Sequence, residues 1–255
     1  MPDKDAVIGV VPARYGSTRF PGKPLVPIAG RPMIEHTYRS ASRASLLSRV
    51  IVATDDERIM DAVEAFGGKA MMTSAEHPSG TDRLMEVAET LQAPYFVNIQ
   101  GDEPLIDPGH IDACARALLE GAQMSTLAAR IRFRHEVFDR DVAKMLIDER
   151  GYAICFSRSA IPFPGKYLAR GEDIDLECSP YFRHVGVYGY TLATLRRLGE
   201  AGQCEMERVE SLEQLRALYL GIKIKVEIVD SVTPHVDVPG DVDKVERTIK
   251  AKGNG

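Results

Sequence analysis

The order of apolar and polar positions divides the chain into two unequal stretches. In the first, short continuous apolar runs alternate with segments whose apolar residues recur at helical spacing. Val7–Val11 reads as a buried strand, and Met33–Ala44 as a helix with Pro32 near its start. Val50–Ala53 is a second strand, after which the acidic entry Asp55-Asp56-Glu57 opens a helix through Phe66. Gly67-Gly68 ends that helix, and Lys69–Met72 makes a short third strand. A helix over Thr81–Leu91, a strand over Tyr95–Gln100, a helix over Pro108–Glu120 and a strand over Met124–Arg132 continue the rhythm. This alternation predicts an α/β fold, a mostly parallel twisted sheet with helices on both faces.

From about residue 133 the pattern changes. Short strands are predicted over Ala143–Asp148, Ala153–Ser157 and His184–Tyr190, separated by turns and by a polar stretch from Pro162 to Pro180. Asp148-Glu149-Arg150-Gly151 between apolar runs is a hairpin signal, so this smaller region is in part antiparallel. Its polar segment Lys166–Asp175 is the expected mobile loop or dimer-contact excursion. Glu205–Leu220 then reads as one helix, Ile222–Val229 as a strand and Pro239–Lys250 as a closing helix. No internal repeat, low-complexity tract or long linker divides the 255 residues, which predicts a single domain.

Composition adds exclusions. With 27% charged and 44% hydrophobic residues the chain has the make-up of an ordinary soluble protein. Its net charge of −5, with the positive charge local, argues against nucleic acid as a partner and leaves room for a small polyanion. No apolar run approaches the roughly 18 residues of a membrane span. The polar, acidic start Met1–Asp5 is not a signal peptide. Cys114, Cys155, Cys178 and Cys204 share no C-x-x-C spacing, so reduced thiols in a cytoplasmic protein are expected and a zinc site is not.

Three segments fall where the carboxyl edge of the sheet is expected, the edge at which open α/β sheets bind ligands. The first is Pro12–Leu25, directly after the first strand, whose arginines, lysine, glycines and hydroxyls offer backbone N–H groups and fixed positive charge to an anion. It is neither a Walker loop nor the dinucleotide fingerprint, which disfavours a dehydrogenase; a solvated basic loop is the plain alternative. The second is Ser79-Gly80-Thr81-Asp82-Arg83, a small-residue turn where a flat ligand can approach the backbone and Arg83 supplies donors. An ordinary helix cap by Ser79 or Thr81 reads equally well there. The third, Asn98–Pro104, sets Asp102 on the sheet edge beside the first loop. Its hard oxygens suit Mg²⁺, which takes one or two carboxylates plus phosphate oxygens and water. A lone Asp after a strand is commonly a turn residue. The phosphate-type loop in the same sheet and a second carboxylate, Asp237, favour the metal reading.

With these motifs the chain resembles the cytidylyltransferases that activate 3-deoxy-manno-octulosonate (Kdo), the CMP-Kdo synthetases. The residues that carry the resemblance are Pro12–Leu25, Ala53–Ile59, Ser79–Arg83, Asn98–Ile106, Phe156–Phe163, Phe182–Tyr190 and Leu212–Ile224. Relatives that activate sialic acids share an Ala-Arg-x-Gly-Ser loop, but the continuation Arg19–Leu25 is similar to the Kdo enzymes.

The resemblance implies a nucleotide-diphospho-sugar transferase-like fold, a cytoplasmic homodimer and a Mg²⁺-dependent reaction. CTP and the sugar acid would give CMP-Kdo and pyrophosphate for lipopolysaccharide biosynthesis. It also implies a nucleotide-binding half over about 1–132, a sugar-acid and dimer region over about 133–230, and a C-terminal segment 231–255 with the metal Asp and last helix. Arg14 and Lys23 would hold the triphosphate and the leaving pyrophosphate, while Asp102 and Asp237 would hold Mg²⁺. CTP would also meet Ser17, Ser79, Gly80, Arg83 and Gln100. The sugar acid would meet Gln100, Arg158, His184, Tyr188, Glu213 and Gln214. The planar guanidinium of Arg158 suits a bidentate pair with the C1 carboxylate. His184 and Tyr188, an even number of positions apart on a strand, face the same side.

Alternatives are a cytidylyltransferase for a related acid, 8-amino-Kdo or sialic-type, and a catalytically silent nucleotide- or sugar-binding regulator. Intact Arg14, Lys23, Asp102 and Asp237 argue against the last. Family members commonly read Val-Asp-Thr-Pro-Glu-Asp where this chain has Val236-Asp237-Val238-Pro239-Gly240-Asp241. Val238 cannot cap a helix as Thr would, and Gly240 weakens its first turn.

Overall fold

Val7–Ala13, a run of β-branched and small residues, forms the central strand β1 of the computed structural model, which describes residues 6–16, 20–77, 79–170, 173–177 and 180–253. The other strands of its sheet are β2 (Arg49–Thr54), β3 (Ala70–Met72), β4 (Tyr95–Asn98), β5 (Met124–Arg130), β6 (Lys144–Ile147), β7 (Ala153–Ser157), β8 (Phe182–Thr191) and β9 (Ile224–Val229), and Pro27–Ile28 pairs with Arg31–Pro32 in a separate ribbon. Strands β1 to β9 join one sheet in the order β9-β5-β8-β4-β1-β2-β3, with β6 on β8 and β7 on β6. Pairings along this path are parallel except those of β8, which runs antiparallel to both β4 and β5. β6 and β7 form the expected hairpin.

Helices α1 (Met33–Ala41), α2 (Glu57–Ala65), α3 (Gly80–Leu91) and α4 (Pro108–Leu119) follow the first strands, and short helices α5 (Arg134–Phe138) and α6 (Gly165–Arg170) belong to the second stretch. α7 (Leu192–Ala201), α8 (Glu205–Glu210), α9 (Gln214–Tyr219) and α10 (Val242–Gly253) complete the chain. Side chains alternate across β1, so Ile8 and Val10 pack with Leu84 of α3 and Leu195 of α7 on one face. Val7 and Val11 pack with Ile34, Ile59 and Ile111 of α1, α2 and α4 on the other. Both faces are therefore buried, as a parallel sheet requires. Caps set three of the helix starts: Asp56 accepts from the N–H of Arg58, Ser79 from Asp82 and Asp107 from Gly109.

Four expectations change. Glu205–Leu220 is two helices, broken at Ser211, which takes left-handed φ 53° and ψ 46°. The break is stabilised by tertiary bonds: buried Glu207 and Arg216 form a two-bond ion pair at 2.6 and 2.8 Å. Meanwhile Glu210 turns back to Ser157 and Arg158. α7 is an additional helix, with Thr191 accepting from the N–H of Thr194 and Leu195 and Leu198 buried. Part of the polar stretch expected as a loop is α6. Finally, β8 pairs His184 with Ala128 and Tyr188 with Thr126, so two extra residues of β8, Gly186 and Val187, bulge out of register with β5.

Candidate active site

At the carboxyl ends of β1 and β4 the backbone itself demands glycine. A Cβ on Gly101 would lie 2.7 Å from the carbonyl oxygen of Pro12, so only glycine lets the Asp102 segment lie against β1. Gly22, at φ +71°, donates its N–H to the Tyr15 carbonyl (2.9 Å) and closes the loop after β1. Lys23 follows it and points inward. Its ammonium donates to Asp102 Oδ2 (2.8 Å) and to the Val236 carbonyl (3.0 Å), and lies 3.7 Å from Asp237 Oδ1.

Asp237 reaches this edge because α10 is anchored through an apolar cluster of Ile28, Met33, Val236 and Val245, and because Val236 donates its N–H to the Asp102 carbonyl (2.9 Å). The cap that Val238 cannot supply comes from Asp241, whose carboxylate accepts from the N–H groups of Asp237 and Val238, both at 3.1 Å. The Lys244 ammonium, with those two N–H groups, holds Asp241 down at about 2. His235 Nε2 lies 3.3 Å from the outer oxygen of Asp237.

This recess, about 230 Å³, is lined by Arg14, Lys23, Gln100 and Asp102 among others. Arg14 donates to the His77 carbonyl and so ties the loop to the approach of α3. Ser17 lies outside the described residues, as do Thr18 and Arg19. Two carboxylates converging on one cation are a donor set that suits Mg²⁺. Among the described residues no group of three His, Cys, Asp or Glu is placed to hold a metal, so a Mg²⁺ at this pair would draw its other ligands from phosphate and water.

A larger cleft of about 510 Å³ adjoins the recess, and both are lined by Pro12 and Gln100. Gly80 and Thr81 of α3, Arg158 after β7, His184 and Tyr188 of β8, and Glu213 and Gln214 at the start of α9 surround it. Thr81 donates to Glu213 (2.7 Å), and Gln100 Nε2 to the carbonyl of bulge residue Gly186 (3.1 Å). His184 and Tyr188 do face one side. Their ring centroids are 5.1 Å apart, where a flat strand would separate such residues by roughly 13 Å. The bulge produces this closeness. His184 Nε2 bonds Thr126 Oγ1 (2.9 Å), Phe156 packs edge-on at 5.5 Å, and burial pushes the imidazole down to about 3.

Arg158 is held from several directions. Its Nε donates to the Glu210 carbonyl (2.9 Å) and Nη1 to that of Arg140 (3.0 Å). Its own carbonyl accepts from buried Lys144, which also donates to the carbonyls of Asp139 and Val142. Burial lowers the pKa of this lysine, and the three carbonyls match its three protons. Among the described residues Nη2 of Arg158 has no hydrogen-bond partner, and Nη1 spends one of its two protons on Arg140, so the guanidinium keeps donors for an anion.

Two further expectations are corrected. Arg83 is fully buried: Nη2 donates to Asp55 (2.7 Å) and Nη1 to Thr73, tying α3 to the end of β2, so its guanidinium offers the cleft nothing. The Ser79 hydroxyl is likewise occupied at the helix start, accepting from the Asp82 N–H and donating to the Asp82 carboxylate (2.8 Å). Three groups escaped the sequence reading. Asn98 lines the cleft with Oδ1 buried and unpartnered among the described residues, as is Gln214 Nε2. Thr126 lies beneath His184, fully buried. Glu103, beside Asp102, is pushed up to about 7 by burial while accepting from Thr233 (2.9 Å). Both strands are almost wholly buried, so a polar residue within an otherwise apolar strand run was the available signal for Asn98 and Thr126.

A mostly parallel sheet carrying a cationic loop and convergent carboxylates at its carboxyl edge defines an α/β nucleotidyltransferase, and a family model described as cytidylyltransferase matches residues 8–224. The 3-deoxy-manno-octulosonate cytidylyltransferase of Geotalea daltonii is 46% identical over 97% of this chain and 99% of its own length. That of Trichlorobacter lovleyi is 45% identical over 96% and 98%. The structure of a CMP:2-keto-3-deoxy-manno-octonic acid synthetase complexed with CTP superposes with a TM-score of 0.89 at 39% identity, over 96% of this chain and 99% of that one. The chain belongs to the 3-deoxy-manno-octulosonate cytidylyltransferase family. The 4-diphosphocytidyl-2C-methyl-D-erythritol synthase of Anaerococcus prevotii, 11% identical with a TM-score of 0.64 over 98% of both chains, shares the fold alone.

Proposed function

We propose that this chain transfers CMP from CTP to the anomeric hydroxyl of Kdo, releasing pyrophosphate and supplying CMP-Kdo for lipopolysaccharide biosynthesis. The observation that carries the reading is the meeting at Gln100 of a recess lined by Arg14, Lys23 and Asp102 with a cleft lined by Arg158, His184 and Glu213. The names of the relatives agree with it. The hydroxyl oxygen attacks the α-phosphorus in line as the bond to pyrophosphate breaks, and the hydroxyl proton passes to solvent. Catalysis of such a transfer is mainly positioning and charge neutralisation.

Arg14 and Lys23 neutralise the triphosphate, Lys23 exchanging carboxylate partners for phosphate oxygens. Gly80 and Thr81 line the cleft where a flat base can lie against the backbone. Nη2 of Arg158 pairs with the C1 carboxylate, and Gln100, His184, Tyr188, Glu213 and Gln214 meet the rest of the sugar acid. Asp102 and Asp237 would hold Mg²⁺, which when bound supplies charge neutralisation and a lowered hydroxyl pKa. The reading includes a homodimer, to which the exposed Phe133, Phe138 and Phe163 of the second stretch lend support, and a cytoplasmic location, where CTP is made. The free thiols of Cys114, Cys155 and Cys204 suit that compartment.

A pyrophosphate-release assay crossing four nucleoside triphosphates with Kdo, 8-amino-Kdo and sialic acid tests the reading. Turnover should require CTP, Kdo and Mg²⁺ together; preference for another acid would reassign the substrate. Light scattering on the purified chain tests the dimer.

A further inference from the structure

The hydroxyl of Thr126 sits where two buried groups compete for one proton. Its Oγ1 lies 2.9 Å from His184 Nε2 and 2.9 Å from the Val187 carbonyl, with the Val185 carbonyl at 3.5 Å. The β8 bulge is what turns both carbonyls toward this position. A threonine hydroxyl donates once and accepts through its lone pairs. Were the proton given to His184, the lone pairs of Thr126 would face those of the Val187 carbonyl at hydrogen-bond distance, in a buried setting where unpaired acceptors are costly. With the proton on Val187, both contacts become bonds, and His184 must be the donor to Thr126. The relay runs His184 Nε2–H to Thr126 Oγ1, and Thr126 Oγ1–H to the Val187 carbonyl.

We propose that Thr126 is a positioning residue that fixes His184 as the Nε2–H tautomer, so that its Nδ1 is a pure acceptor reading a hydroxyl of the substrate and turning away carboxylate or carbonyl oxygen. The inference rests on the cleft being the sugar-acid site. The His184 ring lines that cleft, and Nδ1 has no hydrogen-bond partner among the described residues. Burial keeps the imidazole neutral, so it never presents two donors in the working pH range. The wall then divides its work. Arg158 Nη2 takes the anionic end of the acid, and His184 takes a group that brings its own proton.

The first test needs no substrate. In the full chain labelled with ¹⁵N at histidine, His184 should show a bare Nδ1 and a protonated Nε2 at all pH values from about 5 to 8. Thr126→Ser should keep that signature, and Thr126→Val should lose it. Kinetically, Thr126→Val should raise KM for Kdo about five- to tenfold, the effect of one lost neutral hydrogen bond, with KM for CTP unchanged. Thr126→Ser should stay near wild type in both. A protonated Nδ1 in the wild type overturns the proposal even if Thr126→Val fails to fold. So does the predicted tautomer combined with an unchanged KM for Kdo in Thr126→Val. If the wild-type chain turns over no Kdo, the functional reading fails separately, and the nitrogen spectrum alone decides the tautomer.

Discussion

Lys23 reaches across the sheet edge to donate a 2.8 Å hydrogen bond to Asp102, and both side chains are largely withdrawn from solvent. The loop after β1 and the end of β4 are thereby joined through one proton-rich contact. Asp102→Asn keeps the shape and removes the charge. It should abolish Mg²⁺-dependent pyrophosphate release while leaving the unfolding midpoint near that of the wild type. Near-normal turnover would take Asp102 out of the cation site. Lys23→Met should lower kcat by about a hundredfold or more, in line with the loss of a preorganised charge at a reacting phosphate.

Arg158 is braced by the carbonyls of Glu210 and Arg140, and that bracing distinguishes Arg from Lys. Arg158→Ala and Arg158→Lys should both raise KM for Kdo well above any change in KM for CTP. Steady-state kinetics with each substrate varied in turn reads the split. An unchanged sugar KM in either variant would remove the carboxylate role.

Arg83 makes the opposite prediction. Its guanidinium is fully buried against Asp55 and Thr73, so Arg83→Met leaves Asp55 without its cation. Denaturant unfolding should show a loss of about 3–5 kcal/mol, typical of a broken buried ion pair. KM for CTP, measured at low temperature on the folded fraction, should stay close to wild type. A large rise in that KM with little loss of stability would return Arg83 to the nucleotide.

His184 titrates near 3 in the fold against 6.5 in an unfolded chain. The unfolded state therefore binds the proton first. Stability that is fully present above pH 6.5 is lost progressively as the pH falls toward 3, with a slope of up to about 1.4 kcal/mol per pH unit from this residue. His110 is lowered by burial too, so the contribution of His184 is read as the difference from His184→Asn. Equal slopes in the two proteins would show that the imidazole protonates as easily folded as unfolded.

Much of this was legible in the chain itself. The apolar runs at Val7, Val50, Tyr95 and Met124, the acidic entry Asp55-Asp56-Glu57 and the cap at Ser79 are local signals, and the strands and helices they predict are those found. Lys23 and Asp102 could be singled out because they follow strands whose ends meet at one edge of such a sheet, and Asp237 as a second carboxylate just before the last helix. What stayed hidden depends on partners far along the chain. The break at Ser211 rests on the buried Glu207–Arg216 pair, and Arg83 is turned inward by Asp55. The approach of His184 to Tyr188 follows from a bulge whose carbonyls are answered by Thr126 and Gln100. None of these leaves a periodic mark in the order of residues.

β8 lies between β4 and β5, although β4 and β5 are consecutive strands and β8 is made long after both. Until residues 182–191 leave the ribosome, β4 and β5 therefore each carry an open edge, a template for stray pairing. The same strand brings His184 and Tyr188 with it. A nascent chain cannot complete its central sheet without also setting these two rings into the cleft, so the first and second stretches cannot be cut apart and recombined as interchangeable modules.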